Sequence, residues 1–524
     1  MILFVTVFSA QSLFACFAVV VGKNASTDGS VLVGHDEQNS GNLFINFRKI
    51  PRMHYKKGAV VDLKNGGKIP QVSETNAYLW SEIPGATSSD NYINEYGVVI
   101  VSDYCADKIN SDTKTLEKEG QIVDGGLSYM LRKIVMERAK TARQGVEIAG
   151  KLIDKYGYTS NRSFVIADPN EAWIMSVTDG KQWVAARVPD NEVVLLPNVY
   201  VIKDVNPNDP KNFILSKNLI SFAEKKGWYN PKKDKTFDFA KAYSLSRKQL
   251  IDPRQWFAQQ VITGEKINIK PDRQLPFSVK PDHKVSLKEV MAILRYTNTD
   301  NYFSEYYKTM VENGKKFTPP EGWNYRNMCL RRTQEGAVFQ LNSKYPPAIG
   351  CIDWRASAAP NTSVFLPWYV GITSTPKSYY YPGDLYKIVT AKYHFDTKSY
   401  NYKPNYKKAW WVFRKLQGQV NLDSMVRTAE VRKVWDTYES NLIKEQAKVQ
   451  ADTMKLYKQN KKAAYKYLTK YCSSVSTKAI KEARKLSKQY PKLKCNPNNI
   501  LDPGAKKVKK ISTETCPFIP GKKK

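Results

Sequence analysis

Residues 16–38 read CFAVVVGKNASTDGSVLVGHDEQ, and their pattern decides the fold of the chain. The run FAVVV is apolar and β-branched, KNASTDGS supplies turn-forming residues, and VLVGH is a second apolar run. Two such runs separated by Asn, Asp, Gly and Ser predict an antiparallel β-hairpin. Cys16 stands directly before the first strand. It could be a packing residue, a lipid attachment point or the first residue of the mature protein.

The fifteen residues before Cys16 are MILFVTVFSAQSLFA, which are almost wholly apolar, carry no charge and end in the small Ala15. This composition is typical of the apolar core and cleavage site of a secretory leader, although no basic residues precede it. A membrane-spanning helix needs about 20 apolar residues, so the segment is too short to be one. We therefore expect residues 1–15 to be a signal peptide, the protein to be exported to the periplasm, cell envelope or extracellular space, and no membrane span to remain.

The chain has 524 residues, 42% of them hydrophobic, which is enough apolar material for a large core. Its formal net charge is +33, and from residue 401 onward 30 Lys and Arg face only 9 Asp and Glu. We expect residues 446–524 to form a helical, Lys-rich C-terminal extension. Its lysines fit a solvated surface or adhesion to an anionic envelope. Nucleic acid is not an expected partner, because zinc-finger, RNP-like and Arg-rich motifs are missing.

Further strand-like stretches follow the hairpin at intervals: YGVVIVS, SFVIAD, AWIMSV, QWVAARV and EVVLLP. Residues 126–157 lie between the first two and place apolar residues at helical spacing before a terminal Gly, which predicts one long helix. From about residue 406 the chain becomes helical again. This order of elements predicts an α+β fold in which layered sheets are covered by helices. The sequence carries no signal for the oligomeric state.

Several common catalytic and cofactor motifs are missing. The four histidines form no zinc-binding spacing, and the chain has no GxSxG elbow, no Walker A loop and no GxGxxG. We therefore expect neither a metal nor a cofactor. The seven cysteines are an odd number: if six of them pair, for example Cys329 with Cys351 and two of the last three, Cys16 is the free thiol. The alternative is that all seven are reduced.

Cys16 can be activated without a histidine. If the leader is cut after Ala15, the thiol and a free α-amine belong to the same residue. An α-amine has an ordinary pKa of about 7.7–8.0, so it can accept the thiol proton directly or through a water near neutral pH. Cys16 is therefore the predicted nucleophile and also carries the predicted base.

Six segments in chain order resemble the C69 family of N-terminal-nucleophile (Ntn) dipeptidases: the hairpin quoted above, YINEYGVVIVSD, SFVIADPNEAWIMSV, WVAARVPDNEVVLLPNVYVI, SVFLPWYVGIT and KAWWVFRKLQ. The resemblance runs from Cys16 to the 440s. It implies a four-layer αββα sandwich, a catalytic domain over residues 16–445, no metal, and hydrolysis of dipeptides with Cys16 as nucleophile.

The resemblance also implies candidate site residues. Asn94, in NEYGV, matches a position whose side-chain amide helps to form an oxyanion hole, a role suited to a neutral donor. Asn198 is a second oxyanion candidate, or else a turn residue following Pro197.

The chain departs from the family pattern in HDEQ, residues 35–38. Family members often have an Arg-Asn-Glu-Asp-like tetrad here, so His35 stands where Arg is common and Gln38 where Asp is common. Asp36 could anchor the α-ammonium of Cys16 and tune its pKa, or it could cap a strand end. His35 could belong to the site or to a loop.

Two other functions remain open from the sequence. The related choloylglycine and penicillin-amide hydrolases share the same chemistry, so the substrate could be an N-acyl amide or the reaction an acyl transfer. Alternatively, LFAC resembles a lipobox, and lipidation of Cys16 would make the chain an anchored binding or scaffold protein. The sequence does not give the side-chain preference for a dipeptide.

Overall fold

The computed structural model of the protein describes residues 16–38, 44–63, 67–83, 89–109, 112–245, 252–265, 267, 275–297, 327–382 and 404–493. The proposed leader, residues 1–15, lies outside these residues. Among the described residues, no helix combines the length and the apolar character needed to cross a membrane.

The first sheet contains the predicted hairpin, which is confirmed. Phe17 pairs with Asp36 and Val21 with Leu32 across two antiparallel strands. The sheet has six strands: β1 Phe17–Val21, β2 Val31–Gln38, β14 Val193–Leu196, β16 Thr333–Leu341, β17 Cys351–Ser357 and β18 Leu366–Tyr369. Their order across the sheet is β14-β1-β2-β16-β17-β18, and every neighbouring pair is antiparallel.

The second sheet contains four of the further strands predicted from the sequence, while the fifth, EVVLLP, is β14 of the first sheet. Its eight strands are β3 Asn46–Ile50, β8 Tyr78–Glu82, β9 Asn91–Asn94, β10 Val99–Tyr104, β11 Arg162–Ala167, β12 Ala172–Val177, β13 Trp183–Arg187 and β15 Phe213–Leu215. Their order is β15-β13-β12-β11-β10-β9-β8-β3. Two small ribbons pair β4 Met53–His54 with β7 Glu74–Thr75, and β5 Val60–Asp62 with β6 Lys68–Pro70.

The helices cover the outer faces of the two sheets. Their bounds are α1 Thr113–Lys118, α2 Met130–Arg138, α3 Ala142–Tyr156, α4 Leu219–Lys225, α5 Phe239–Tyr243, α6 Pro253–Thr263, α7 Leu287–Arg295, α8 Pro347–Gly350, α9 Ala409–Asn421, α10 Ser424–Gln459 and α11 Lys461–Gln489. The single helix predicted over residues 126–157 is in fact α2 and α3. The chain becomes extended at Ala139, and the Thr141 hydroxyl accepts a hydrogen bond from the Gln144 amide to start α3.

The layers give an αββα sandwich, which confirms the predicted fold class. Helices α2 and α3 bury the outer face of the eight-stranded sheet, with Trp173 and Phe164 in that core. Helices α6, α7, α9, α10 and α11 lie on the outer face of the six-stranded sheet. The inner faces meet in a second core, to which Ala18 contributes from β1 and Val101 from β10. Apolar residues on alternate positions of each strand therefore face one core or the other.

Helix α7 lies directly against β2 because Gly34 leaves room for it. A Cβ at Gly34 would stand 2.6 Å from Val290 Cγ1, a distance that atoms in proteins do not tolerate. The N-terminus of α7 is fixed by a capping box between Ser286 and Glu289. The close packing leaves every residue of β2 buried, including its polar end from His35 to Gln38.

The predicted domain boundary at residues 445/446 needs correction, because it falls in the middle of α10. After α10, helix α11 packs against β18 and α9. Apolar residues along α11, such as Leu468 and Ala479, are fully buried in the hydrophobic core that includes the six-stranded sheet. Up to residue 493, the Lys-rich segment is therefore part of the outer helical layer and not a separate tail. Residues 494–524 lie outside the described structure.

The cysteines of the described residues are reduced. Cys16, Cys105, Cys329, Cys351 and Cys472 are all free and buried, so the example of a Cys329–Cys351 bond is wrong. Cys329 instead donates from Sγ to Oδ1 of Asn361 at 3.3 Å. Burial raises the pKa of the Cys105 and Cys472 thiols to about 12, which keeps both protonated and unreactive. Cys495 and Cys516 lie outside the described residues.

One buried acid makes stability depend on pH. Burial, with the charge of Asp107 second, raises the pKa of Asp179 to about 7. A raised acid pKa means that ionisation of Asp179 opposes folding, so the unfolding free energy falls as the pH rises from about 4 to about 7. Asn at this position would still accept the hydrogen bond from the Asn161 amide.

We expect Asp179→Asn to raise the free energy of unfolding by about 1–3 kcal/mol at pH 8 and to have almost no effect at pH 4. Urea denaturation of both proteins at the two pH values measures this difference. An equal gain at both pH values would show that the effect comes from packing and not from charge.

Candidate active site

Cys16 directly precedes β1, at the start of the hairpin, and lies between the two sheets. Its side chain is 4% exposed, and its Sγ accepts a hydrogen bond from the backbone amide of Gln38 at 3.4 Å. Burial raises the pKa of the thiol well above its ordinary value, and the charges of Glu37, Asp103 and Asp90 add to this shift. The thiol therefore stays protonated unless a base removes its proton or a cation replaces it.

His35 lies in β2 and not in a loop, and its side chain faces the inner side of the sandwich. The Asn91 amide fixes its tautomer. Nδ2 of Asn91 donates to Oε1 of Glu335 at 2.8 Å, so Oδ1 of Asn91 points at Nδ1 of His35, 2.9 Å away. Nδ1 must therefore carry a proton. Nε2 of His35 stands 3.5 Å from Oδ1 of Asp103.

The Asp103 carboxylate stabilises the charged form of His35. Burial by itself lowers the pKa of His35, but the neighbouring Asp103 outweighs it, and the net shift is upward. Apart from this contact with His35, neither oxygen of Asp103 has a hydrogen-bond partner within the part of the chain that the structure describes. The His35–Asp103 contact is therefore a buried ion pair whenever His35 is protonated.

Glu37 and Asp90 form a second acidic pair beside Cys16. Burial and the charge of Asp90 raise the pKa of Glu37, while Asp90 is held in its ionised form by Arg132 and Arg162 despite its burial. The two carboxyl groups hydrogen-bond to each other. Within this pair, Glu37 is therefore the carboxyl group that holds a proton more readily and Asp90 the one that carries the negative charge more readily.

Arg254 connects the backbone of Cys16 with Asn198. The guanidinium is buried, donates from Nη1 to the carbonyl oxygen of Cys16 at 2.9 Å and from Nη2 to Oδ1 of Asn198 at 3.0 Å. Asp252 holds the same guanidinium at 2.9 Å. Nδ2 of Asn198 donates to the carbonyl oxygen of Tyr104 at 3.1 Å. The structure thus brings Asn198 to the edge of the site, and its oxyanion role stays a prediction.

The position of Asn94 corrects the prediction that it forms the oxyanion hole. Asn94 faces the outer helical layer, where Nδ2 donates to the carbonyl oxygens of Met136 at 3.0 Å and Ala139 at 2.8 Å. Its Oδ1 accepts from the amides of Tyr96 and Val98. Asn94 closes the turn between β9 and β10. The side-chain amide on the inner face, beside His35, belongs to Asn91, three residues earlier on the other face of the strand.

Asp36 also lies on the side of its strand away from the thiol. It pairs with Phe17 in the hairpin, and strand alternation therefore points its side chain toward the outer helices. Burial raises its pKa, which the charge of Arg295 opposes. Its carboxylate oxygens have no hydrogen-bond partner among the described residues. Glu37, and not Asp36, is thus the acid of HDEQ that faces the Cys16 side chain.

Sequence reasoning missed five residues of this cluster. One signal was present, because His35 and Glu37 are two residues apart in a strand and so share a face. The others come from distant strands and from α6, and only the folded chain brings them to Cys16. The missed residues are Glu37, Asp90, Asn91, Asp103 and Arg254.

The cluster combines a thiol, an imidazole and carboxyl groups in a buried polar space. One donor atom from each of Cys16, His35 and Glu37 lies within 4.8 Å of the other two, so these three residues could also hold a metal ion. A thiol in such surroundings can attack an electrophilic carbonyl once its proton is removed.

Comparisons with known proteins identify similar sequences. A model of peptidase family C69 matches residues 15–420. A probable dipeptidase from Salmonella dublin is 28% identical over 387 residues, which cover 72% of this chain and 85% of that protein. A probable dipeptidase from Latilactobacillus sakei is 26% identical over 376 residues, covering 70% of this chain and 76% of that protein.

Solved structures show weaker likeness. Penicillin V acylase from Agrobacterium tumefaciens gives a TM-score of 0.31 at 13% sequence identity, covering 68% of this chain and 86% of the acylase. A mutant of conjugated bile acid hydrolase from Clostridium perfringens gives a TM-score of 0.24 at 11% identity, covering 66% of this chain and 89% of the hydrolase.

Proposed function

The chain belongs to peptidase family C69 and is a peptidase, and from that premise we propose that it is an exported cysteine dipeptidase whose mature form begins at Cys16. The observation that carries the proposal is the position of Cys16. Its thiol lies among the buried polar groups between the sheets, directly before the first strand of the fold, and the family match starts one residue earlier. The relatives described as probable dipeptidases support the dipeptide as substrate.

Removal of residues 1–15 would create the base for the reaction. The new α-amine of Cys16 accepts the thiol proton, and the thiolate attacks the carbonyl carbon of the dipeptide. The peptide C–N bond then breaks, and the α-ammonium returns the proton to the leaving amine. This leaves a thioester between Cys16 and the first amino acid, which water hydrolyses to restore the thiol.

The surrounding residues support this chemistry in different ways. Arg254 holds the Cys16 carbonyl oxygen and so fixes the backbone of the nucleophile. The acidic groups Glu37, Asp90 and Asp103 disfavour the thiolate and favour an α-ammonium beside it. The thiolate therefore forms only when its proton moves to the amine. The free thiolate exists only while it attacks the substrate.

The test compares three forms of the protein: the full precursor, a chain that begins at Cys16, and a chain with one Gly before Cys16. We expect only the chain that begins at Cys16 to hydrolyse dipeptides, with release of free amino acids as the measurement. The form with the extra Gly keeps the thiol but replaces the amine by an amide, which cannot accept a proton at neutral pH. Equal hydrolysis by all three forms would exclude the α-amine as base.

Two further measurements separate the alternatives. Turnover of an N-acyl amide with no turnover of dipeptides would assign the site to an amide hydrolase. The intact mass of the exported protein distinguishes a free Cys16 from one that carries a diacylglycerol adduct, and such an adduct would exclude the enzyme. N-terminal sequencing of the same sample identifies the first residue.

The basic helical layer supports a second part of the proposal, adhesion to an anionic envelope. Helix α11 exposes a row of lysines to solvent, while its apolar residues are buried in the core. Truncating the helix would therefore disturb the fold. Replacement of exposed lysines by Gln is the better test, with retention on anionic vesicles as the measurement; suitable positions are Lys462, Lys466, Lys470, Lys478 and Lys481.

A further inference from the structure

Three donor groups of different chemistry converge on one point between the sheets. Sγ of Cys16, an imidazole nitrogen of His35 and a carboxylate oxygen of Glu37 lie within 4.8 Å of one another, and all three residues are buried. We propose that they form a binding site for one thiophilic divalent cation, with Zn²⁺ as the best match, and that the bound ion blocks hydrolysis. The blocking effect rests on the proposed role of Cys16 as nucleophile, whereas binding does not.

The hydrogen bonds of His35 decide which of its nitrogens can bind an ion. Its Nδ1 donates to Asn91, whose amide is itself oriented by Glu335, so Nε2 is the nitrogen that can carry a lone pair. Nε2 stands 3.5 Å from Oδ1 of Asp103, a contact that it gives up when its lone pair binds an ion. A ligand histidine whose other ring nitrogen is bonded to a fixed acceptor is the usual arrangement in protein metal sites.

The donor set suits zinc better than other common cations. Thiolate and imidazole select Zn²⁺ over Mg²⁺ and Ca²⁺, which prefer oxygen ligands. Donor atoms around one tetrahedral zinc ion stand about 3.3–3.8 Å apart, given bond lengths of about 2.0–2.3 Å. The present separations of up to 4.8 Å require side-chain shifts of about one ångström to close around an ion.

A chain that begins at Cys16 supplies a fourth donor. Its α-amine and its thiolate belong to the same residue and would close a five-membered chelate ring with the metal. Asp103, whose carboxylate lies 3.5 Å from Nε2 of His35, adds negative charge beside the ion. Four donors would complete the coordination that zinc adopts in closed sites.

Binding of the ion releases protons and removes the nucleophile. The S–H bond of Cys16 breaks, as does the O–H bond of Glu37 where that carboxyl is protonated. The protons leave to solvent, and bonds from sulfur and from the carboxylate oxygen to zinc form without any change in oxidation state. The sulfur lone pair and the α-amine are then both engaged by the metal. Neither can attack a carbonyl or accept a proton until a chelator removes the ion.

Cobalt titration of the chain that begins at Cys16 tests the site directly, because a cobalt–thiolate bond gives an intense near-ultraviolet absorption band. We expect a one-to-one titration of this band, competed by Zn²⁺. Zn²⁺ should inhibit dipeptide hydrolysis, and EDTA should restore it. Cys16→Ser should lose the band, and His35→Asn should weaken binding at least about tenfold. Asn91→Ala, which removes the partner of the ligand histidine, should weaken binding about 10–100-fold.

Cys105→Ser is the matched control, because Cys105 is another buried thiol near Asp103 that lies outside the cluster. It should keep both the band and the affinity. The inference is overturned if Cys16→Ser retains the band, or if the parent chain shows none with cobalt in excess. If the band forms but no dipeptide is hydrolysed in the absence of metal, the metal site stands and the proposed function fails.

Discussion

Replacement of Cys16 by Ala is expected to lower kcat/KM for dipeptides by at least about 10⁴-fold, because in the proposed mechanism Cys16 alone forms the acyl-enzyme. Cys16→Ser replaces the thiol by a hydroxyl group, which can still attack a carbonyl but is far less acidic. We expect kcat/KM to fall by at least about 10²-fold. Release of free amino acids from a dipeptide measures both. The methyl group of alanine fits the buried position, so the thermal unfolding temperature should change little compared with this loss.

A control variant and a pH profile test the role of the Cys16 thiol and its α-amine. Cys472→Ser changes a buried thiol of α11 that is remote from the cluster, and its activity should match that of the parent chain. In the proposed mechanism the parent enzyme should lose activity as the pH falls through the pKa of the α-amine, because a protonated amine cannot accept the thiol proton. The ordinary value of this pKa is about 7.7–8.0, and the neighbouring carboxylates shift it upward. Full turnover by Cys16→Ala would remove the thiol from the mechanism altogether.

The strands of this protein could be read from the sequence because they are short apolar runs between turn residues. The hairpin around Cys16 and the five later runs all became strands at the predicted places. The sequence predicts one long helix over residues 126–157 because the apolar spacing continues through the break between α2 and α3. Thr141 was the signal for the break, since a Thr followed three residues later by Gln can start a helix.

Of the residues in the cluster, only Cys16 could be assigned a definite role from the sequence. The position of Cys16 between the apolar residues 1–15 and a strand predicts its role, while the sequence leaves His35 open between site and loop. The oxyanion role predicted for Asn94 is wrong because its side chain lies on the outer face, and a single strand does not reveal which of its two sides meets another sheet. Asp90, Asp103 and Arg254 reach the site from other elements. Their roles depend on contacts across more than 50 residues, for which local patterns hold no information.

The outer helical layer shows a related limit. Its lysine content suggested a separate tail, although apolar residues at helical spacing ran through the same segment. The charge pattern is more conspicuous in the sequence than the apolar spacing. Burial of Leu468 and its neighbours nevertheless makes this segment part of the core. A helix can carry a high net charge on one face and still be part of the core on the other.

The buried charges beside the site predict the second large effect, on stability. Asp90 is 5% exposed and is the shared carboxylate partner of Arg132, which is fully buried, and Arg162, whose Nη1 lies 3.5 Å away. Asp90→Asn keeps the shape and the hydrogen bond from Ser102 but leaves two buried guanidinium groups without their counter-ion. We expect the free energy of unfolding at pH 7 to fall by about 3–5 kcal/mol, measured by urea denaturation.

Glu37 can take over part of the missing charge, because it hydrogen-bonds Asp90 and its pKa is raised first by burial and then by the charge of Asp90. Asp90→Asn with Glu37→Gln is therefore expected to be less stable than the sum of the single changes. Glu147→Gln is the control, since its pair with Arg143 at 3.2 Å is exposed and should contribute only about 0–1 kcal/mol.

The pH dependence distinguishes charge from packing in this experiment. Because the pKa of Asp90 is lowered in the folded state, its ionised form stabilises the protein above the ordinary Asp pKa of about 3.9, and this contribution is lost as the pH falls below that value. The difference between the parent chain and Asp90→Asn should therefore be full at pH 7 and smaller at pH 3. A difference that stays constant from pH 7 to pH 3 would mean that Asp90 acts through its shape and hydrogen bonds, and not as the counter-ion of Arg132 and Arg162.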